Sequence, residues 1–279
     1  MTRLLPRRTV LQGIVGGVGA YVLPPEARAA SAVSPTALTA NMNMLTLGGV
    51  NVVVVTTTMG VVLVDTGPKE QAPALIEQLQ AISPSYKYTL FITHSHADQI
   101  GAELVFRRMN SPIFAHRTNP PRPSINGYWP VDDPYLNALA TQVEPASPYY
   151  TDNWSAGEEQ IDYGFLPPGH TNEDMYVHFL NSNVLAVGDM VSPERDPELD
   201  RSKGGWLGGR VQAMDMLLAR CNDTVRIIPS YGPVIGKPEL QLERDMMAGL
   251  YTKLDEQVRM GFTALDSLNS GIMNGWPRT

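Results

Sequence analysis

The runs NVVVVTTT (51–58) and GVVLVDTG (60–67) constrain the fold more than any other part of this chain. They are dense in β-branched residues, which suit a pleated strand, and Met59-Gly60 turns the chain between them. NMNMLTL (41–47) precedes them across Gly48-Gly49, so the three runs predict a hairpin-linked sheet. YTLFIT (88–93), PIFAH (112–116), residues 159–166, 175–180 and 183–188, and TVRIIPS (224–230) supply further strands. Between them the pattern predicts helices from about Lys69 to Ile82, over IGAELVFRRM (100–109) and near 210–221. A long amphipathic helix follows, with Met247, Leu250, Leu254 and Val258 on one stripe. Two β-rich halves, each closed by helices, predict an α+β sandwich in which two sheets face each other and helices cover the outside. With 279 residues, 43% hydrophobic and 18% charged, the chain can bury a substantial core, and disorder is excluded.

The first thirty residues differ from the rest. Arg7-Arg8 leads into Thr9-Val10-Leu11 and a glycine-rich apolar run to Leu23, followed by Ala27-Arg28-Ala29-Ala30. This resembles a twin-arginine export signal cleaved near Ala29 or Ala30, which implies a periplasmic or secreted protein. The apolar run is about half the roughly 20 residues that a membrane span needs, so no stable anchor is expected after cleavage. Residues 31–279 are then one domain. The whole chain has 21 basic and 28 acidic residues, net −7; without residues 1–29 the counts are 17 and 27, net −10. That balance gives no basic face for nucleic acid or anionic lipid, and a small-molecule substrate is the expected partner.

Residues 118–154 break the alternation. Seven prolines and six aromatic residues there exclude a long helix or an inner strand, yet are too apolar for a solvated linker. An ordered insertion packed on the surface and an aromatic lid over a pocket are both consistent with it. Residues 203–209, KGGWLGG, equally suit a mobile lid or a tight loop. The single cysteine, Cys221, excludes an intramolecular disulfide and is expected to be a buried, inert thiol.

The chemistry gathers where strands end. His94, His96 and Asp98 are spaced by two at the end of YTLFIT, so they can converge on one point. His170 follows the turn Pro167-Pro168-Gly169, and Asp189 follows Gly188 at another strand end. Two imidazoles at that spacing suit a borderline divalent metal whose third ligand comes from a different segment. His116 and His178 are isolated and are expected to be structural.

The pieces VLVDTG (62–67), THSHADQIG (93–101), GHT (169–171), VGDM (187–190) and PSYGPV (229–234) resemble, in order and spacing, the metallo-β-lactamase superfamily. The resemblance spans essentially the whole mature region and implies a four-layer αββα fold. It implies a first metal on His94, His96 and His170, with Asp189 bridging or beside it. Asp98 corresponds to a second-metal ligand that also handles protons, and Asp65 to an acid that orients a ligand or its loop.

Two positions depart from the family pattern: Gln99 stands where the motif has histidine, and Tyr231 where Pro-Gly-His-Gly is usual. Both belong to the second metal, so one tightly held zinc is expected and a second ion weak or absent. Such a zinc keeps an open position and brings the pKa of bound water to about 7, giving hydroxide at neutral pH. Asp98 and Tyr231 are the candidate catalytic residues, the first orienting the hydroxide or taking its proton, the second donating to a developing oxyanion or leaving group. Gln99 and Tyr231 equally suit a hydrogen-bonded pair that fills the second-metal position. The expectation is an exported zinc-dependent hydrolase of esters, thioesters, lactones or amides, with β-lactams disfavoured by loss of the second cation. Alternatives are a mononuclear iron oxidoreductase acting on a sulfur compound, and a degenerate member that binds without turnover.

Overall fold

A computed structural model describes residues 33, 35–83, 87–116 and 151–272. The export segment at 1–30 and residues 118–150 of the insertion lie outside the described residues. The first sheet runs in the order β1-β2-β3-β4-β5-β6, formed by Thr36–Ala37, Met42–Leu47, Val50–Thr57, Gly60–Val64, Tyr88–Phe91 and Ile113–Phe114. The expected hairpins are its antiparallel half, β2 to β4. Pairing turns parallel from β4 to β6, and the crossovers carry α1, Ala72–Ile82, and α2, Glu103–Arg108. The second sheet has the order β11-β10-β9-β8-β7, from Arg226–Pro229, Val184–Gly188, Met175–Phe179, Glu159–Phe165 and Thr151–Ala156. Only β10 and β11 are parallel, joined through α3, Leu207–Leu218; α4, Lys237–Arg259, and the short α5, Ala264–Asn269, follow.

Strand alternation sends Val53, Val55, Val62 and Val64 of the first sheet toward Ile161, Tyr163, Phe165, Val177 and Phe179 of the second. Phe91 lies between them, stacked on Phe114 at 4.7 Å and edge-on to Tyr163 at 5.1 Å. On the other face of the second sheet, Tyr176, Leu185, Val187 and Ile227 pack with Met214, Leu217, Leu240 and Met247 of α3 and α4. The result is the predicted sandwich of facing sheets with helices outside. Among the described residues, no helix is long and apolar enough to cross a membrane.

Several expectations change in detail. β4 stops at Val64 rather than Gly67, because Asp65 takes a left-handed backbone (φ 62°) and turns its carboxylate onto Thr93. Residues 151–154, assigned above to the insertion, form most of β7, Thr151–Ala156; it is an edge strand whose exposed Thr151, Asp152 and Asn153 lack an apolar alternation. The apolar stripe of α4 does not reach Val258, which is 66% exposed. β1 and α5 were not expected. Cys221 is buried and unpaired, and burial pushes its thiol up to about 11, which keeps it inert.

Candidate metal centre

The candidate ligands hang from strand ends. His94 and His96 follow β5, His170 follows β8, and Asp189 comes directly after β10. At Gly188 (φ 59°) a Cβ would lie 2.8 Å from Thr93 Oγ1, so only glycine brings Asp189 against the loop that carries His94. The turn before His170 is clamped by Asp174, which accepts from the backbone N–H groups of Gly169, His170 and Thr171 at 2.8–3.1 Å and from Thr171 Oγ1 at 2.7 Å.

These elements bring His94, His96, His170 and Asp189 together, with one donor atom from each lying within 4.8 Å of all the others. The three imidazole centroids are 4.7–4.8 Å apart and the rings are nearly perpendicular, at 82–88°. His170 Nε2 is 2.9 Å from His96 Nδ1 and 3.5 Å from Asp189 Oδ2, and His94 Nε2 is 3.8 Å from the same oxygen. Donors on a tetrahedron with ~2.1 Å bonds stand roughly 3.4 Å apart, a value that these three separations bracket. His94 Nε2 is buried without a hydrogen-bond partner, a position that a metal ion would satisfy. Burial and then the neighbouring His170 and His96 push the pKa of His94 well below the usual histidine range, which keeps it neutral with its lone pair available.

The nitrogens facing away from the cage are held by acceptors. His170 Nδ1 donates to the Glu198 carbonyl at 3.0 Å, and His96 Nε2 to Asp200 Oδ2 at 3.0 Å. Hydrogen bonds from Ser202, then His96, hold the Asp200 carboxyl well below its usual range, so it is ionised and only accepts. His94 Nδ1 lies 3.1 Å from Thr93 Oγ1, which donates to Asp65 at 2.8 Å. Each ligand therefore has its tautomer set so that the inward nitrogen is free for a metal. Residues 190–205 supply two of these partners and a third contact, from Arg195 Nη2 to Asp189 Oδ1 at 2.9 Å. Arg195, Glu198 and Asp200 were not singled out from the sequence. They lie in a charged stretch that reads as solvated, with no spacing signal linking them to the histidines.

Asp98 stands outside the four-residue group. Its Oδ2 accepts from Gln99 Nε2 at 3.1 Å and from the Tyr231 hydroxyl. Gln99 and Tyr231 are thus joined through Asp98 rather than paired with each other, and Gln99 is fully buried. The Arg195 guanidinium lies over the Tyr231 ring, 3.5 Å from its centroid. Burial, followed by the Asp98 contact, pushes the Tyr231 hydroxyl up, so it remains a donor. Of the isolated histidines, His116 packs against Phe165 at 4.1 Å and His178 is buried in β9. A cavity of about 1290 Å³ lies between residues 191–207 and α4; Arg195 lines it, and none of the four candidate ligands does.

The family model for the metallo-beta-lactamase superfamily matches residues 45–225, which include His94, His96, His170 and Asp189. Among solved structures, the metallo-beta-lactamase from Pontibacter korlensis shares 20% identity and a TM-score of 0.62, over 77% of this chain and 99% of that one. The sec-alkylsulfatase Pisa1 from Pseudomonas sp. gives 16% and 0.62, over 83% of this chain and 44% of the enzyme. The metallo-beta-lactamase FIM-1 from Pseudomonas aeruginosa, in its mono-zinc form, gives 20% and 0.56, over 77% and 95%. At these identities the likeness is one of fold. No curated protein matches the chain. With two mixed sheets packed between helices, a histidine-rich metal-binding group at the strand ends and a family match over most of its length, the chain belongs to the metallo-beta-lactamase superfamily.

Proposed function

We propose that the protein is an exported hydrolase that holds one zinc ion on His94, His96 and His170, with Asp189 beside it and one position left for water, and that it cleaves esters, thioesters or lactones. The observation that carries this is the inward orientation of three imidazoles, each fixed from behind by an acceptor. Zinc in such a donor set supplies Lewis acidity and brings the pKa of water to about 7. Asp98 is the proton carrier: both its donors meet Oδ2, and Oδ1 has no hydrogen bond among the described residues, so it can take the proton of the attacking water. The water oxygen joins the acyl carbon, the bond to the leaving oxygen or sulfur breaks, and Asp98 returns the proton to the leaving atom. Tyr231, already donating to Asp98, orients that carboxylate. Amides, whose leaving nitrogen needs more stabilisation, are disfavoured where no second metal ion assists. The mono-zinc form of a structural relative supports the reading that this fold accommodates one ion.

Elemental analysis of protein purified without added metal tests the reading. One zinc per chain is expected in the native protein and none in His170→Ala, with hydrolysis of 4-nitrophenyl esters and lactones falling to the uncatalysed background. Iron in place of zinc, or ester hydrolysis that survives in the metal-free variant, would overturn it.

A further inference from the structure

We infer that the Arg195 guanidinium is a built-in substitute for the second cation, excluding a second metal ion and neutralising the outer half of Asp189. The inference deepens the one-zinc reading and rests on it. Three contacts carry it. Asp189 divides its oxygens: Oδ2 faces His94 and His170 at 3.8 and 3.5 Å, while Oδ1 accepts from Arg195 Nη2 at 2.9 Å. A carboxylate shared by two ions would need Oδ1 for the second, and here that lone pair is already engaged by N–H. Next, the guanidinium lies flat on the Tyr231 ring at 3.5 Å, so the aromatic face that replaces the usual histidine serves as its platform. Last, Asp98, the other acidic ligand of a second ion, has Oδ2 turned onto Tyr231 and Gln99. A fixed positive charge at this distance from Asp189 repels a divalent ion there while leaving the four-residue cage intact.

Tyr231 and Arg195 are then two halves of one device. A phenol is a poor zinc ligand, but its ring holds an arginine side chain that is 35% exposed and would otherwise be free to swing into solvent. Arginine also stays protonated at every working pH, so the substituted charge is permanent, whereas a weakly bound ion would come and go with its concentration.

The test is zinc stoichiometry, independent of any substrate. Wild type, Arg195→Met, Arg195→Gln and Arg195→Lys are stripped with chelator and titrated with zinc against a chromophoric competitor, with folding checked by circular dichroism. Wild type and Arg195→Lys are expected to take one equivalent. Arg195→Met and Arg195→Gln, with Asp189 Oδ1 released, are expected to take a second. A second equivalent in wild type, or neutral variants that stop at one, would overturn the inference while leaving the one-metal or metal-dependent chemistry to be judged on its own. A native chain that binds no zinc would remove the proposed function and this inference together.

Discussion

Asp65 holds a left-handed backbone position and commits both carboxylate oxygens to Thr93, one to its N–H and one to its hydroxyl, each at 2.8 Å. Burial pushes its pKa up to about 8, far above an ordinary aspartate, against the pull of those two hydrogen bonds. In the metal-free protein, folding therefore favours the protonated form. The stability this gives is present in full below about pH 4, the unfolded value, and is lost as pH rises toward 8. Urea denaturation of the chelated protein from pH 5 to 8 should show that decline, and Asp65→Asn should flatten it. The same variant should bind zinc roughly 10–100-fold more weakly, because Thr93 Oγ1 then loses the Asp65 Oδ2 acceptor that turns it toward His94 Nδ1. Equal zinc affinity in Asp65→Asn would refute the orienting role. That Asp65 belongs near the ligands was legible from VLVDTG. The contact that makes it so, a hydrogen bond to the residue before His94, was not, because 28 positions separate the partners.

At the scale of elements, residues 190–205 are the piece that most shapes the centre, and they are held from beneath. Arg210 of α3, fully buried, donates to the Glu198 carbonyl, to Ser192 Oγ and to Glu243 Oε1 of α4, each at 3.1 Å. Glu243 Oε2 also accepts from Ser192 N at 2.8 Å. The Glu198 carbonyl thus receives both Arg210 and His170, linking a buried ion pair to a metal ligand. Glu243→Leu, which leaves Arg210 charged and unpaired, should destabilise the fold by about 3–5 kcal/mol, and Arg210→Met added to it should restore most of that. Urea midpoints of the single and double variants decide this; a double variant no more stable than Glu243→Leu would sink the account. The glycine-rich stretch, open to two readings in the sequence, resolves as close packing. A Cβ at Gly205 would lie 2.0 Å from the His170 carbonyl oxygen, and one at Gly209 would lie 1.8 Å from that of Pro168. Glycine count alone could not separate a lid from a tight contact, since both need the same backbone freedom.

For the whole molecule, the export proposal is checked by replacing Arg7 and Arg8 with lysine. The protein should then stay in the cytoplasm with its first thirty residues attached, and export that continues unchanged would reject the twin-arginine reading. Much of the architecture was present in the chain as local pattern. Valine-rich runs broken by Gly48-Gly49 and Met59-Gly60 had to pair as hairpins, because strand period and turn chemistry act over a few residues. The spacing of His94, His96 and Asp98 is a weaker guide, since β5 ends at Phe91 and the loop beyond it brings the two histidines into the group but leaves Asp98 outside. The polar edge strand β7 escaped, as it carries no apolar alternation. What only the tertiary structure decided is which groups stand behind and beside the ligands. His96 meets His170 across 74 positions and Asp200 across 104, and Tyr231 meets Asp98 across 133. Arg195 reaches Asp189 over only six, yet it needs the distant Tyr231 ring as its support. Those meetings depend on how two sheets and two helices pack, and no local spacing encodes that packing; the sequence by itself determined where the histidines lie, and the packed fold decided what surrounds them.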